Sequence, residues 1–101
     1  MSAQDKLAGY ASGFSSLDPQ IIAENVTADY RLLDKNGAVV ERNDLPQYIA
    51  ELRKLGDEMQ ISDVMVDGDK AWCKWQIGEV IGAGLIRFSD NGVCQEQLFY
   101  S

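Results

Sequence analysis

Apolar residues recur at three- and four-residue steps through the first fourteen positions. Ala3, Leu7, Tyr10, Ala11 and Phe14 share one side, which predicts an amphipathic helix. Gly9 and Gly13 each weaken such a helix by about 1 kcal/mol relative to alanine, so packing has to hold it. Asp18-Pro19 reads as an N-cap followed by proline at the first helical position, opening a short second helix that carries Ile21, Ile22 and Val26. From Tyr30 the period falls to two: Tyr30, Leu32 and Asp34 share one face, Arg31 and Leu33 the other. Lys35-Asn36-Gly37 then turns the chain, and residues 38–41 return as a short partner strand. Leu45, Tyr48, Ile49, Leu52 and Leu55 form the strongest helical stripe, with Asn43 as N-cap, Pro46 in the first turn and Gly56 as the stop.

The remainder alternates as a β-meander. Strands are predicted over 61–66 and 71–77 about an Asp67-Gly68-Asp69 turn, with a bend at Gly82 and Gly84 before Leu85-Ile86-Arg87-Phe88. Asp90-Asn91-Gly92 predicts a hairpin with positive φ at both Asn91 and Gly92, ahead of a last strand from Val93 to Tyr100. Helices gathered ahead of a meander define an α+β class: a curved antiparallel sheet wrapped around three helices, a cone whose mouth can hold a small ligand. At 101 residues, 1–101 read as a single domain without linker or repeat.

Composition removes whole mechanisms. The chain has no histidine, which excludes histidine-based triads, haem ligation through histidine and imidazole pH switching. Proton transfer has to run on carboxyl, phenol, amine or thiol groups. A net charge of −7 opposes nucleic acid and anionic membrane surfaces alike. Cys73 and Cys94 form no C-x-x-C pair and are expected to be buried free thiols; no metal or cofactor is called for. The start Met1-Ser2-Ala3-Gln4-Asp5-Lys6 does not read as a signal peptide, and no apolar run reaches the roughly eighteen residues of a membrane span, so a cytoplasmic protein is expected. Gly78, Gly82 and Gly84 match neither the dinucleotide nor the P-loop spacing.

Two residues carry candidate chemistry. Asp34 ends a strand on the Tyr30 and Leu32 face; turned inward it is a desolvated general base, turned outward an ordinary turn aspartate. Tyr10 lies on the apolar stripe of the first helix, either as an oxyanion donor or as a core tyrosine with a local partner. Phe14, Tyr30, Leu32, Leu52, Trp75, Ile86, Phe88 and Phe99 are the expected ligand-binding residues around them. Trp75 shares a face with Ala71, Cys73 and Ile77, the core or pocket side. Trp72 lies opposite, with Lys74 and Gln76, and is the expected centre of a homodimer contact through the sheet. On the last strand either Gln95 and Gln97 or Glu96 faces inward, and Glu96 would then be a second candidate base.

The chain resembles the nuclear transport factor 2-like superfamily, which includes SnoaL-like polyketide cyclases and ketosteroid isomerases. The resemblance runs through the Leu17-Asp18 step, Val26-Thr27-Ala28-Asp29-Tyr30, Asp67-Gly68-Asp69-Lys70-Ala71-Trp72, Arg87-Phe88 and Asn91-Gly92. It implies a cone-shaped, cystatin-like α+β roll in which Tyr10 matches the family's oxyanion donor and Asp34 its proton-shuttling aspartate. The family's second oxyanion donor, a protonated aspartate, matches a position at or near Gly84, where this chain has no carboxyl. Losing one such donor costs a few kcal/mol of transition-state stabilisation. The short chain implies a small or open pocket. The resemblance thus supports a small apolar carbonyl- or hydroxyl-bearing ligand and isomerase- or cyclase-type proton transfer. The alternative is a non-enzymatic dimerising association or ligand-binding module with a filled cone.

Overall fold

The first helix, α1 (Ala3–Ser15), is fixed at its start by a capping box. Ser2 Oγ accepts from the Asp5 amide at 3.1 Å, and Asp5 Oδ2 accepts from the Ser2 amide at 3.3 Å. The computed structural model describes residues 2–100. Asp18 caps α2 (Pro19–Glu24) as expected, its Oδ1 accepting from the Gln20 amide at 3.0 Å. Gly13 has a packing reason: a Cβ there would sit 2.7 Å from Ile22 Cγ1, so its absence lets α1 and α2 touch. Val26 does not belong to α2. It opens strand β1 (Val26–Leu33), which starts four residues before the alternation becomes visible at Tyr30.

Strand β2 (Val39–Glu41) returns along β1 through the predicted turn. A 3-10 turn over Arg42–Asp44 precedes α3 (Leu45–Leu52), so Asn43 is not its N-cap; Asp44 Oδ2 instead accepts from the Glu41 amide at 3.0 Å. Nor does Gly56 end α3. The helix closes at Leu52 through a tighter turn in which the Leu55 amide donates to the Leu52 carbonyl at 2.9 Å. The meander follows as β3 (Gln60–Asp67), β4 (Lys70–Ile77), β5 (Val80–Ser89) and β6 (Gly92–Tyr100). β5 runs unbroken through Gly82 and Gly84, with no bend between strands. In the β5–β6 hairpin only Gly92 takes positive φ, at 130°; the register slips between Arg87 and Phe88 and absorbs the turn.

The six strands form one curved mixed sheet in the order β2-β1-β6-β5-β4-β3. The expected all-antiparallel sheet is corrected at one seam, where β1 lies parallel to β6 with Leu32 opposite Glu96. Alternation along each strand separates its two faces but does not reveal its partner, which is why that seam is invisible in the sequence. The inward residues Ala71, Cys73, Trp75 and Ile77 of β4 join Leu7, Tyr10 and Phe14 of α1 in one core. Trp72 lies on the outer face, half-buried beneath Phe99 with ring centroids 5.7 Å apart. Cys73 is buried and Cys94 half-buried, both as free thiols. Among the described residues no helix is long and apolar enough to cross a membrane.

Candidate functional site

Between α1, α3 and the inward sheet face lies a cavity of about 170 Å³. Its walls are almost wholly apolar: Phe14 and Leu7 from α1, Leu52 from α3, and Ile77, Ile86 and Leu98 from the sheet. A cavity of roughly 150 Å³ suffices for benzene, so the space suits a single-ring molecule and falls below the several hundred Å³ of drug-sized pockets.

Glu96 is the polar group that matters most. It alternates inward between Gln95 and Gln97, is only 5% exposed, and lines the cavity. Its Oε1 accepts a hydrogen bond from the Tyr10 hydroxyl, which in turn shares a 2.7 Å bond with the Tyr30 hydroxyl. Burial pushes the Glu96 carboxyl up from 4.5 to about 7, against the Tyr10 hydrogen bond that pulls it down. Burial, with the nearby Glu96 charge, holds Tyr10 and Tyr30 well above the ordinary phenol range, so both remain neutral donors. Near neutral pH the carboxyl is thus poised between two roles: as an acid it donates a hydrogen bond into the cavity, as a carboxylate it only accepts.

Gly84 makes this arrangement possible. A Cβ at Gly84 would collide with Glu96 Oε2, so the carboxyl occupies the space that a side chain on β5 would fill. The sequence resemblance leaves that position without a carboxyl. The fold supplies one from the neighbouring strand, over the same backbone.

Asp34 stands at the end of β1 and also lines the cavity, half-buried. Its Oδ1 accepts from the Tyr100 hydroxyl at 2.6 Å and from the Lys35 amide at 2.7 Å. That hydrogen bond, with burial, pushes the Tyr100 hydroxyl up to about 12. Lys35 Nζ lies 4.3 Å from the Tyr100 ring centroid. Tyr48 lines the wall nearby and is raised by burial and by the charge of Asp34. Cys73 is pushed up to about 12 by burial, so its thiol is no nucleophile at neutral pH.

The cavity thus brings together six of the ten candidate residues: Tyr10, Asp34, Phe14, Leu52, Trp75 and Ile86. Tyr30, Leu32 and Phe88 are core residues outside its wall; Tyr30 touches the site only through the Tyr10 hydroxyl. Phe99 is corrected: it is 46% exposed on the outer face, because it alternates with the inward Leu98 and Tyr100. Tyr100 and Tyr48 were not among the candidates, and strict alternation from an inward Glu96 would have found Tyr100.

No protein-family model matches the chain, and no curated protein matches it either. Solved structures do. A protein with a ketosteroid isomerase-like fold from Catenulispora acidiphila, in complex with trimethylamine, aligns at TM-score 0.76 and 18% identity over 98% of this chain and 87% of that one. An NTF2-like protein from Burkholderia xenovorans gives 0.76 at 12% identity, over 97% and 81%. A cystatin-fold protein from Novosphingobium aromaticivorans gives 0.77 at 12% identity, over 98% of both chains. The chain therefore has the nuclear transport factor 2-like, cystatin-type α+β fold. At these identities the likeness establishes the fold and leaves activity to the residues of the site.

Proposed function

We propose that this domain binds a small apolar molecule bearing a carbonyl or hydroxyl group and moves a proton on it. The observation that carries this reading is Glu96, a carboxyl buried in an apolar cavity and hydrogen-bonded to Tyr10. A neutral Glu96 donates to the ligand oxygen, and the Tyr30–Tyr10 chain behind it strengthens the donor. Asp34, at the same cavity, takes a proton from the carbon next to the carbonyl. The C–H electron pair then forms the enolate, whose oxygen Glu96 holds, and Asp34 returns the proton to carbon. The Catenulispora acidiphila relative in complex with trimethylamine supports a compact ligand.

Cyclohexanone in heavy water tests the reading. The native protein should speed exchange of its α-protons, Asp34→Asn should abolish the acceleration, and Tyr10→Phe should reduce it by tenfold or more. Native exchange no faster than that of Asp34→Asn contradicts the proton-transfer role.

The outer sheet face supports a homodimer. Trp72, Phe99, Met65 and Ile81 provide its apolar centre, and Lys74 with Asp63, 3.4 Å apart, gives a rim of both charge signs that can pair with itself. A mass-measured dimer that Trp72→Glu converts to monomer is the expected result. Free thiols at Cys73 and Cys94 accord with a cytoplasmic setting.

A further inference from the structure

Two residues of the cavity wall are exposed to solvent, Leu55 at 49% and Val64 at 50%. The cavity therefore reaches the surface at the segment that follows α3 and at β3. β3 is an edge strand, with three strands between it and Asp34 on β1. The other wall residues of these two segments, Met59 and Ile61, are apolar as well. The opening on this side has an apolar lip.

Val64 faces the cavity only because β3 carries a bulge. Ile61 pairs opposite Trp75, Ser62 opposite Lys74 and Met65 opposite Trp72, so Asp63 and Val64 share the step that Cys73 takes alone on β4. Strict alternation from Ile61 would point Asp63 inward and Val64 outward. Instead Asp63 takes φ 53°, a left-handed conformation uncommon in residues other than glycine. Its carboxylate stands 3.4 Å from Lys74 Nζ on the outer face. The extra residue thus turns a carboxylate away and sets an isopropyl group at the opening. Bulges that re-aim a side chain in this way are over-represented beside binding sites. An apolar group held half in water gains by being covered, and because Leu55 and Val64 continue the cavity wall, the same ligand can cover them.

The volume divides such a ligand into two parts. A cavity of roughly 150 Å³ holds the six carbons of benzene, so the 170 Å³ here encloses about that many, and any further carbons meet the lip. We propose that the ligand is a medium-length alkyl compound, its carbonyl or hydroxyl head at Glu96 and its tail leaving past Leu55 and Val64. This rests on the carbonyl- or hydroxyl-binding reading above and deepens it, adding a tail to the compact part that the cavity encloses. Leu55 and Val64 become specificity-determining residues that select for chain length.

Two straight-chain ketones test it: 2-hexanone, which the cavity encloses, and 2-nonanone, three methylenes longer. Each is titrated into the full chain at pH 6 and followed by the methyl resonances of Leu55 and Val64, assigned with Leu55→Ser and Val64→Ser. A fully buried methylene tightens binding about fourfold, and at a half-exposed lip about twofold, so 2-nonanone should bind roughly tenfold tighter. The Leu55 and Val64 methyls should move with 2-nonanone alone. The double variant Leu55→Ser/Val64→Ser should bring the two affinities within about twofold and leave that of 2-hexanone unchanged. Equal affinities in the native protein, unmoved lip methyls at saturation, or a full chain-length preference in the double variant overturns the tail site while leaving the Glu96 contact standing. Lip methyls that shift with protein concentration in the absence of ketone give the lip to a second copy of the chain and overturn it too. Failure of both ketones to bind overturns the carbonyl-binding reading and this one with it. The native measurements stand even if the double variant does not fold.

Discussion

Replacing Glu96 with glutamine keeps the shape of the side chain and an acceptor for the Tyr10 hydroxyl but removes the titration. In the native protein that carboxyl titrates at about 7 against an ordinary 4.5. A group whose folded-state value is raised in this way favours the protonated fold. Its contribution is fully present below the unfolded value and declines as pH rises from 4.5 to about 7, above which the loss is complete. At 1.36 kcal/mol per pH unit the decline is on the order of 3 kcal/mol. The assay is urea unfolding of native and Glu96→Gln proteins at several pH values from 4 to 8. Subtracting one from the other cancels the surface carboxylates. The native protein should lose on the order of 3 kcal/mol relative to the variant between pH 4.5 and pH 7.5. A difference that stays flat with pH refutes the raised carboxyl, and with it the neutral donor on which the proposed chemistry depends.

Tyr10→Phe removes the hydrogen bond that pulls the carboxyl down, so Glu96 should titrate above 7 in a carboxyl-resolved NMR titration. Gly84→Ala puts a methyl against Glu96 Oε2 and should cost about 1–3 kcal/mol in urea unfolding, as overpacked sites do, with weakened cyclohexanone binding. The same substitution in the Glu96→Ala background should be milder, because the clashing oxygen is gone. Asp34→Asn removes the negative charge beside Tyr100 and leaves only a neutral amide oxygen as acceptor, and the tyrosinate absorbance of that residue should then appear below 12, nearer the ordinary 10.

Much of this architecture was legible in the chain. Alternation separated the two faces of each strand, and Asp18-Pro19 marked the start of α2 through the chemistry of its backbone amides. The parallel seam between β1 and β6 was not legible, because it joins segments over sixty residues apart with no local signature. The site divides along the same line. Tyr10 and Asp34 stood out as polar groups on apolar faces. Glu96 could not be oriented until β6 had a register, and Gly84 looked like a lost donor because its neighbour's side chain reaches across from another strand. Gly82 and Gly84 suggested a bend; they are clearances for the indole and the carboxyl.

The central claim is that a carboxyl held inside an apolar cavity receives the oxygen of a small ligand. The most direct measurement follows the Glu96 side-chain carboxyl carbon by NMR through a pH titration, alone and with saturating cyclohexanone. The account predicts a midpoint near 7 in the free protein, and a resonance that moves, with a higher midpoint, when the ketone occupies the cavity. A midpoint near 4.5 and a resonance indifferent to the ketone would contradict it.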